Sequence, residues 1–459
     1  MTTFSKSGLD QPVTQRCDLV AYIAAGARPR DRWGIGAESE RLVIDRETGD
    51  AADFDRIEKL LQTMEQSQAW SGVREGERLI ALQGQSSSIT LEPGGQLELS
   101  GELCGDLHCC AADFVLYQNA LNDAAAGQGL AFLGLGVQPF TPLDQIGWVP
   151  KARYGIMGPY MKRTGDLGQA MMKQSAGLQV NVDFSDEADW LAKIRLALLL
   201  SPVLYGLFAN SPFREGRPSG YLSTRGQIWS RTDPDRTGII PALFAENADY
   251  GTYVDYALNV PMYFIERDGH FIDLTRRRFT FAQYLQQGVE AHRATLADWD
   301  LHLSTLFPEA RLRPQIELRS ADCLPPPMTM AVAALVKGLM YDPVILGRSL
   351  DLLQRQVLPQ IDRIYPQSWQ MGLLTPVVSG SLLDLVRELV DMARSGLSAQ
   401  RALNPAGEDE GIYLKAVDPL LAQGKTLAED LLERCHQKTR TQQVALLLEH
   451  CGFEINAIT

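Results

Sequence analysis

The sequence predicts a mixed α+β core with an all-helical C-terminal region. Three observations carry this. Stretches with two-residue alternation recur between residues 33 and 319. Stretches with helical spacing separate them irregularly, without the regular alternation of a parallel βαβ sheet. From Met328 onward almost everything has helical spacing.

Residues 1–30 read as a polar lead-in with a short helix from Asp18 to Ala25. Residues 33–45 alternate as a strand. Phe54, Ile57, Leu60, Leu61 and Met64 give residues 53–69 a helical stripe. Strands are expected at 78–83, 88–92 and 96–100, with Pro93-Gly94-Gly95 as a tight turn. Residues 106–126 read as a helix and 130–138 as a strand. Helix is expected at 167–173, strand at 176–184, and a long helix at 186–210 opened by Ser185-Asp186-Glu187. Residues 250–265 are mixed, with a strand near 260–266, and 313–319 reads as a strand. The last helix covers 426–451. The division expected is a catalytic core over 1–345 and a helical region over 346–459 packed on it, or one single domain.

The 459 residues are 45% hydrophobic and 22% charged, a globular composition. The net charge of −13 argues against a nucleic-acid partner, which calls for a basic surface. The longest apolar stretch, Leu196 to Leu207, is broken by Ser201, Pro202 and Gly206, so no membrane partner is expected. The opening residues lack the apolar run of a secretory signal, and the expected location is the cytosol. Seven cysteines include no CxxC pair. Cys104, Cys109 and Cys110 cluster without a His-rich partner region, so reduced thiols are expected rather than a zinc site.

Four expected strands carry polar residues at i and i+2: Glu38 and Glu40, Gln96 and Glu98, Gln179 and Asn181, Glu317 and Arg319. Such pairs share one face of a strand. The residues between them, such as Leu97, Val180 and Leu318, would face a helix-packed core. A solvated outer face explains any single pair. It explains four less well, because glutamate is a poor strand former and clustered carboxylates repel unless a cation is bound. Hard oxygen donors of this kind suit Mg²⁺. The pattern points to a multi-Mg²⁺ site on a sheet, built for polyphosphate. Arg153, Arg225 and Arg236 are further anion-binding candidates. There is no Walker A motif, no GxGxxG and no GxSxG.

The stretch Gly34 to Glu40 and the string Thr90-Leu91-Glu92-Pro93-Gly94-Gly95-Gln96-Leu97-Glu98-Leu99-Ser100-Gly101 resemble the glutamate–cysteine ligases of plant and proteobacterial type. The likeness continues through Pro150–Met157, Gln179–Phe184, Leu207–Phe213, Gly220–Trp229, Arg236–Gly238, Val260–Phe264 and Ile316–Asp322. It spans roughly residues 30 to 345. The resemblance implies a glutamine-synthetase-like antiparallel sheet curved into a funnel and flanked by helices. It implies an enzyme, an ATP-dependent ligase joining the glutamate γ-carboxylate to the amine of cysteine through a γ-glutamyl phosphate, the first step of glutathione or related thiol synthesis. Glutamate, cysteine and ATP would be its partners, with two or three Mg²⁺ ions as cofactor, in a monomer or homodimer. Carried over by motif position, Glu38, Glu40, Glu92, Glu98, Gln179 and Glu317 would hold Mg²⁺. Arg319 would stabilise charge on the transferred phosphoryl group, and Arg153 would sit near phosphate or a carboxylate. Arg225 would hold the α-carboxylate of glutamate, and Trp229, Met262, Tyr263, Arg236 and Tyr154 would line the substrate pocket.

The chain departs from the plant pattern after Asp322. A Gly-Gly-Pro-Trp-Arg-Arg stretch is replaced by Cys323-Leu324-Pro325-Pro326-Pro327-Met328, and the residues after Gly101 become Glu102-Leu103-Cys104. Cys110 falls close to a plant-family cysteine but has no obvious partner. A different acceptor amine is the alternative reading. A catalytically dead glutamate- or nucleotide-binding regulator is a third, weakened because Glu38, Glu40, Glu92, Glu98 and Glu317 are all present.

Overall fold

The computed structural model describes residues 8–101 and 103–452; the start of the polar lead-in and Glu102 lie outside them. Its centre is β1 (Ile35–Asp45), an eleven-residue strand. The sheet also contains β2 (Ser71–Glu75), β3 (Arg78–Gln83), β4 (Ser88–Leu91), β5 (Leu97–Ser100), β6 (Leu130–Leu133) and β7 (Gly177–Val182). Three small ribbons follow: β8 (Phe213–Arg214) with β9 (Arg217–Pro218), β11 (Phe264–Arg267) with β12 (His270–Asp273), and β10 (Thr237–Gly238) with β13 (Phe307–Pro308). The hairpin of β14 (Ala310–Arg313) and β15 (Gln315–Asp322) completes the main sheet, in the order β14-β15-β7-β1-β5-β4-β3-β2. Its pairings are antiparallel. The second half of β1, Leu42–Asp45, leaves β5 and β7 and pairs with β6.

One face of the sheet is apolar because every second residue is. Leu178, Val180, Val182, Ile316 and Leu318 are buried against the helices Glu187–Leu207 and Pro326–Met340. The helix Leu107–Ala125 packs beside them on β1, its first turn fixed by the Asp106 carboxylate accepting from the Cys109 N–H at 2.8 Å. The helix Glu187–Leu207 is long and apolar enough to cross a membrane, but most of it is buried inside this fold. A second core lies under β3 to β6, where Ile57, Leu60, Leu61 and Met64 form the buried stripe of the helix Phe54–Glu65. The later helices wrap the first core. Ile361–Met371 packs on Glu187–Leu207, Leu382–Gln400 on Pro326–Met340, and Arg440–Cys451 on β6.

The differences from expectation have local causes. The helix Ala152–Thr164 carries two glycines and Pro159, which weaken any pattern. The edge strands β2 and β14 are four or five residues long and sit beside turns. The mixed segment 250–266 resolves into a helix, Tyr250–Asn259, followed by β11.

Candidate active site

The strand register brings the polar pairs to the other face of the sheet. Glu40 stands opposite Glu98, Glu38 opposite Gln179, and Glu317 opposite Asn181. Because opposite residues share a face, four strands deliver five of the six expected metal ligands to one surface. The sixth, Glu92, follows β4 at the turn. A pocket there is lined by Glu40, Glu92, Gln96, Glu98, Gln179, Trp229, Phe307, Arg311 and Arg319, with Met171 and Ser175.

The Glu92 turn depends on its glycines. Gly95 has φ of +89°, and a Cβ on Gly94 would sit 2.3 Å from the Lys173 carbonyl oxygen. The Gln96 amide closes the loop: its oxygen accepts from the Gly94 N–H at 2.9 Å and its nitrogen donates to the Ser175 carbonyl at 2.7 Å. The Lys151 ammonium and the Tyr154 hydroxyl both donate to the Leu91 carbonyl, at 2.8 and 3.1 Å. Tyr154 is thus a buried prop behind Glu92, and it does not line the pocket. Arg153 is also buried, and its charge acts on Glu92 together with that of Lys151. Burial pulls the Lys151 ammonium down to about 7.

The carboxylates crowd one another. Glu38 and Glu40 are half-buried, yet burial is the leading cause that raises them. Glu38 rises to about 7, with Glu317 and Glu98 adding repulsion. Glu40 rises to about 8, with Glu92 and Glu98 adding to burial and Arg225 opposing. Glu40 also accepts the Gly177 N–H. Thr90 donates to Glu98 at 2.9 Å, and the Asn181 amide to Glu38 at 3.2 Å. Glu317 behaves in the opposite way. Against burial, Arg311 and Arg319 hold it at about 2. Arg311 grips it through Nε and Nη2, each at 2.9 Å, and Arg319 bridges it to Gln179.

Arg225, at the start of the helix Thr224–Ser230, is buried beside Glu40. One guanidinium nitrogen donates to the Arg319 carbonyl at 2.9 Å, while Nε and Nη1 have no partner among the described residues. Such groups are costly to leave unsatisfied, which marks a place for an anion. Trp229 lies between Arg225 and Arg319, each guanidinium 5.6 Å from its ring. The C-terminal helices brace this corner. The Trp369 carbonyl accepts from the Leu222 and Ser223 N–H groups, and Tyr365 donates to the buried Glu309.

Three expected pocket residues are not brought here. Arg236 is fully buried, paired with Asp233 at 2.6 Å and donating to the Pro261 and Thr305 carbonyls. Tyr263 lies under that guanidinium, at 3.9 Å from ring centre, and Met262 is in the first core. An arginine three residues from a buried aspartate finds its counter-ion locally. Conversely, Arg311 escapes the sequence reading. Its signal is the alternation on both sides of Pro314, which sets Arg311 opposite Glu317 in a hairpin. The divergent residues Cys323, Leu324 and Pro325 are buried and do not line the pocket.

The family model "Glutamate-cysteine ligase family 2(GCS2)" matches residues 34–450. The chain belongs to that family. The match extends about a hundred residues past the resemblance read from the sequence, through the helical region. The chloroplastic glutamate–cysteine ligase of Brassica juncea is 39% identical over 92% of this chain and 81% of its own length. That of Arabidopsis thaliana is 40% identical over 92% and 80%. Among solved structures, the Francisella tularensis glutamate–cysteine ligase in complex with AMP shares the fold, with a TM-score of 0.54 and 12% identity, over 91% of this chain and 88% of that one. This ligase family therefore accounts for the fold expected from the sequence, and the protein is an enzyme of the ligase class. The cytosolic placement is overturned by the plant relatives, which are named as chloroplastic. Composition and the absence of a long apolar opening run report on membrane crossing and secretion, and neither distinguishes one aqueous compartment from another.

Proposed function

We propose that this ligase joins the γ-carboxylate of glutamate to the amine of cysteine at the carboxylate-lined face of the sheet, using ATP, with magnesium held by Glu38, Glu40, Glu92 and Glu98. The observation that carries the metal reading is the pair of raised carboxyl groups, Glu38 and Glu40, crowded by further carboxylates on the polar face of the sheet. A divalent cation relieves that repulsion, and oxygen donors of this type fit Mg²⁺. Gln179 offers a further oxygen, and Glu317 joins the set where Arg311 and Arg319 release it. Two or three ions fit this number of donors. When bound, Mg²⁺ neutralises charge on the phosphates of ATP during transfer.

The chain's own residues supply the rest. Free carboxylate is a poor electrophile because its charge is delocalised, so the γ-carboxylate must first take a phosphoryl group from ATP. Arg225 holds the α-carboxylate of glutamate on its unpartnered Nε and Nη1. Arg319, at the rim of the same pocket, steadies the phosphoryl oxygens. The cysteine amine then attacks the acyl phosphate and phosphate leaves, giving γ-glutamylcysteine for glutathione synthesis. Trp229 and Phe307 give the pocket an apolar wall that keeps water from the acyl phosphate. Arg153 acts with Lys151 behind Glu92 by setting its position and charge.

The test is product mass spectrometry with ATP, glutamate and Mg²⁺, offering cysteine in competition with other amines. A γ-glutamylcysteine product that disappears when Mg²⁺ is chelated is the expected result. Turnover with another amine and none with cysteine overturns the acceptor assignment, and undiminished turnover in chelator overturns the metal assignment.

A further inference from the structure

A cluster of soft ligands sits away from the carboxylate pocket, where the loop after β5 enters the helix Leu107–Ala125. The fold brings together the Cys104 thiol, the Cys109 thiol and the Asp113 carboxylate, with one donor atom of each lying within 4.8 Å of the others. Cys109 and Asp113 are one turn apart on the same side of the helix. The N-terminal turn is pinned by Asp106, so Cys109 is held in place by the helix itself. Cys104 reaches the same point from the preceding loop, and its backbone is bonded both ways to Ile35, at 2.7 and 2.9 Å. Cys104 is buried, Cys109 is exposed and Asp113 is half-buried, so the cluster opens to solvent on one side. The neighbouring Cys110 thiol donates to the Ile35 carbonyl at 3.4 Å and also contacts Cys104.

We propose that Cys104, Cys109 and Asp113 form a binding site for a thiophilic divalent cation of the Zn²⁺ or Cd²⁺ class. Two sulfurs and one carboxylate oxygen match the donor types of such ions, and a water from the open side supplies the fourth position of a tetrahedron. Mg²⁺, which prefers oxygen donors in octahedral geometry, does not compete here. As the two metal–sulfur bonds form, each thiol gives its proton to solvent, and no oxidant or reductant is involved. The sequence conceals this site, because its spacing is neither CxxC nor His-containing and its third donor arrives only through the helical turn. A bound ion ties the loop after β5 to the helix, and through Cys104 to the first residue of β1, three positions before Glu38.

The full chain, purified in thiol reductant and stripped with chelator, is incubated with Zn²⁺ in excess Mg²⁺ and passed over a desalting column. Wild type retains Zn²⁺, and Cys109→Ser and Asp113→Asn lose it, while Glu38→Gln retains it. Zn²⁺ also protects Cys109 from iodoacetamide, whereas Cys17, which is exposed and is not one of the three donors, stays reactive as an internal control. Cys109 is exposed, so its replacement leaves the core untouched even if a Cys104 variant fails to fold. Three results overturn the proposal: Zn²⁺ passing through with wild type unbound, retention unchanged in Cys109→Ser, or retention lost in Glu38→Gln alone.

Discussion

Glu40 makes the metal-free enzyme sensitive to alkali, and the effect can be sized. Its carboxyl rises from 4.5 to about 8, driven by burial and then by Glu92 and Glu98. Between pH 5.5 and 7.5 the unfolded chain therefore carries this group ionised while the folded chain keeps it protonated. Folding takes up a proton in that window, so stability is present at the acid end and is lost as pH rises toward 8. The slope for one such group is about 1.4 kcal/mol per pH unit, or about 3 kcal/mol across the window. A chain of 459 residues unfolds with an entropy on the order of 1 kcal/mol per kelvin, so Glu40 accounts for a fall in Tm of about 3 °C. The measurement is Tm in chelator at pH 5.5 and 7.5 for wild type and Glu40→Gln. Glutamine retains a carbonyl oxygen for the Gly177 N–H, so the variant isolates the charge. The wild-type fall should exceed the variant's by about 3 °C, and saturating Mg²⁺ should close most of that gap. Equal falls in the two proteins without metal would refute the reasoning, because Glu40 would then titrate as an ordinary glutamate.

Other perturbations follow from the same geometry. Arg225→Lys replaces a fork of donors by a point charge and should raise KM for glutamate at least about tenfold, with Tm held; steady-state kinetics at saturating ATP checks it. Glu92→Gln should abolish turnover while leaving the unfolding transition in place, and near-wild-type activity would remove Glu92 from the metal site. Gly94→Ala forces a methyl against the Lys173 backbone, so denaturant unfolding should show a loss of about 1–3 kcal/mol accompanied by reduced activity. A neutral Gly94→Ala would mean that the turn shifts freely.

The two-residue period makes the central strands and the carboxylate face legible in the amino-acid sequence, because register follows from alternation. Glu38, Glu40, Glu98 and Gln179 converge for that reason. Arginines in loops are less readable. Their long side chains reach several partners, and Arg236 finds Asp233 while Arg225 is left facing the site. The helices Ala152–Thr164 and Thr224–Ser230 hide behind glycine and proline, although their residues surround the Glu92 turn and Arg225. The role of the tail is hard to read in the sequence because part of it runs through a backbone carbonyl, that of Trp369, which any residue could supply, and the rest through Tyr365 on a distant Glu309.

The side chains of Glu38 and Glu40 hang from successive pleats of β1, so their spacing is a lattice constant of the backbone, about 6.6–6.8 Å along the strand, and owes nothing to side-chain choice. Deleting one residue ahead of Glu38 would turn both acids toward the greasy helices and present Ser39 and Arg41 in their stead. Length in this segment is thus as strictly constrained as composition: an isosteric replacement dims one ligand, whereas a frameshift of a single pleat erases the whole array.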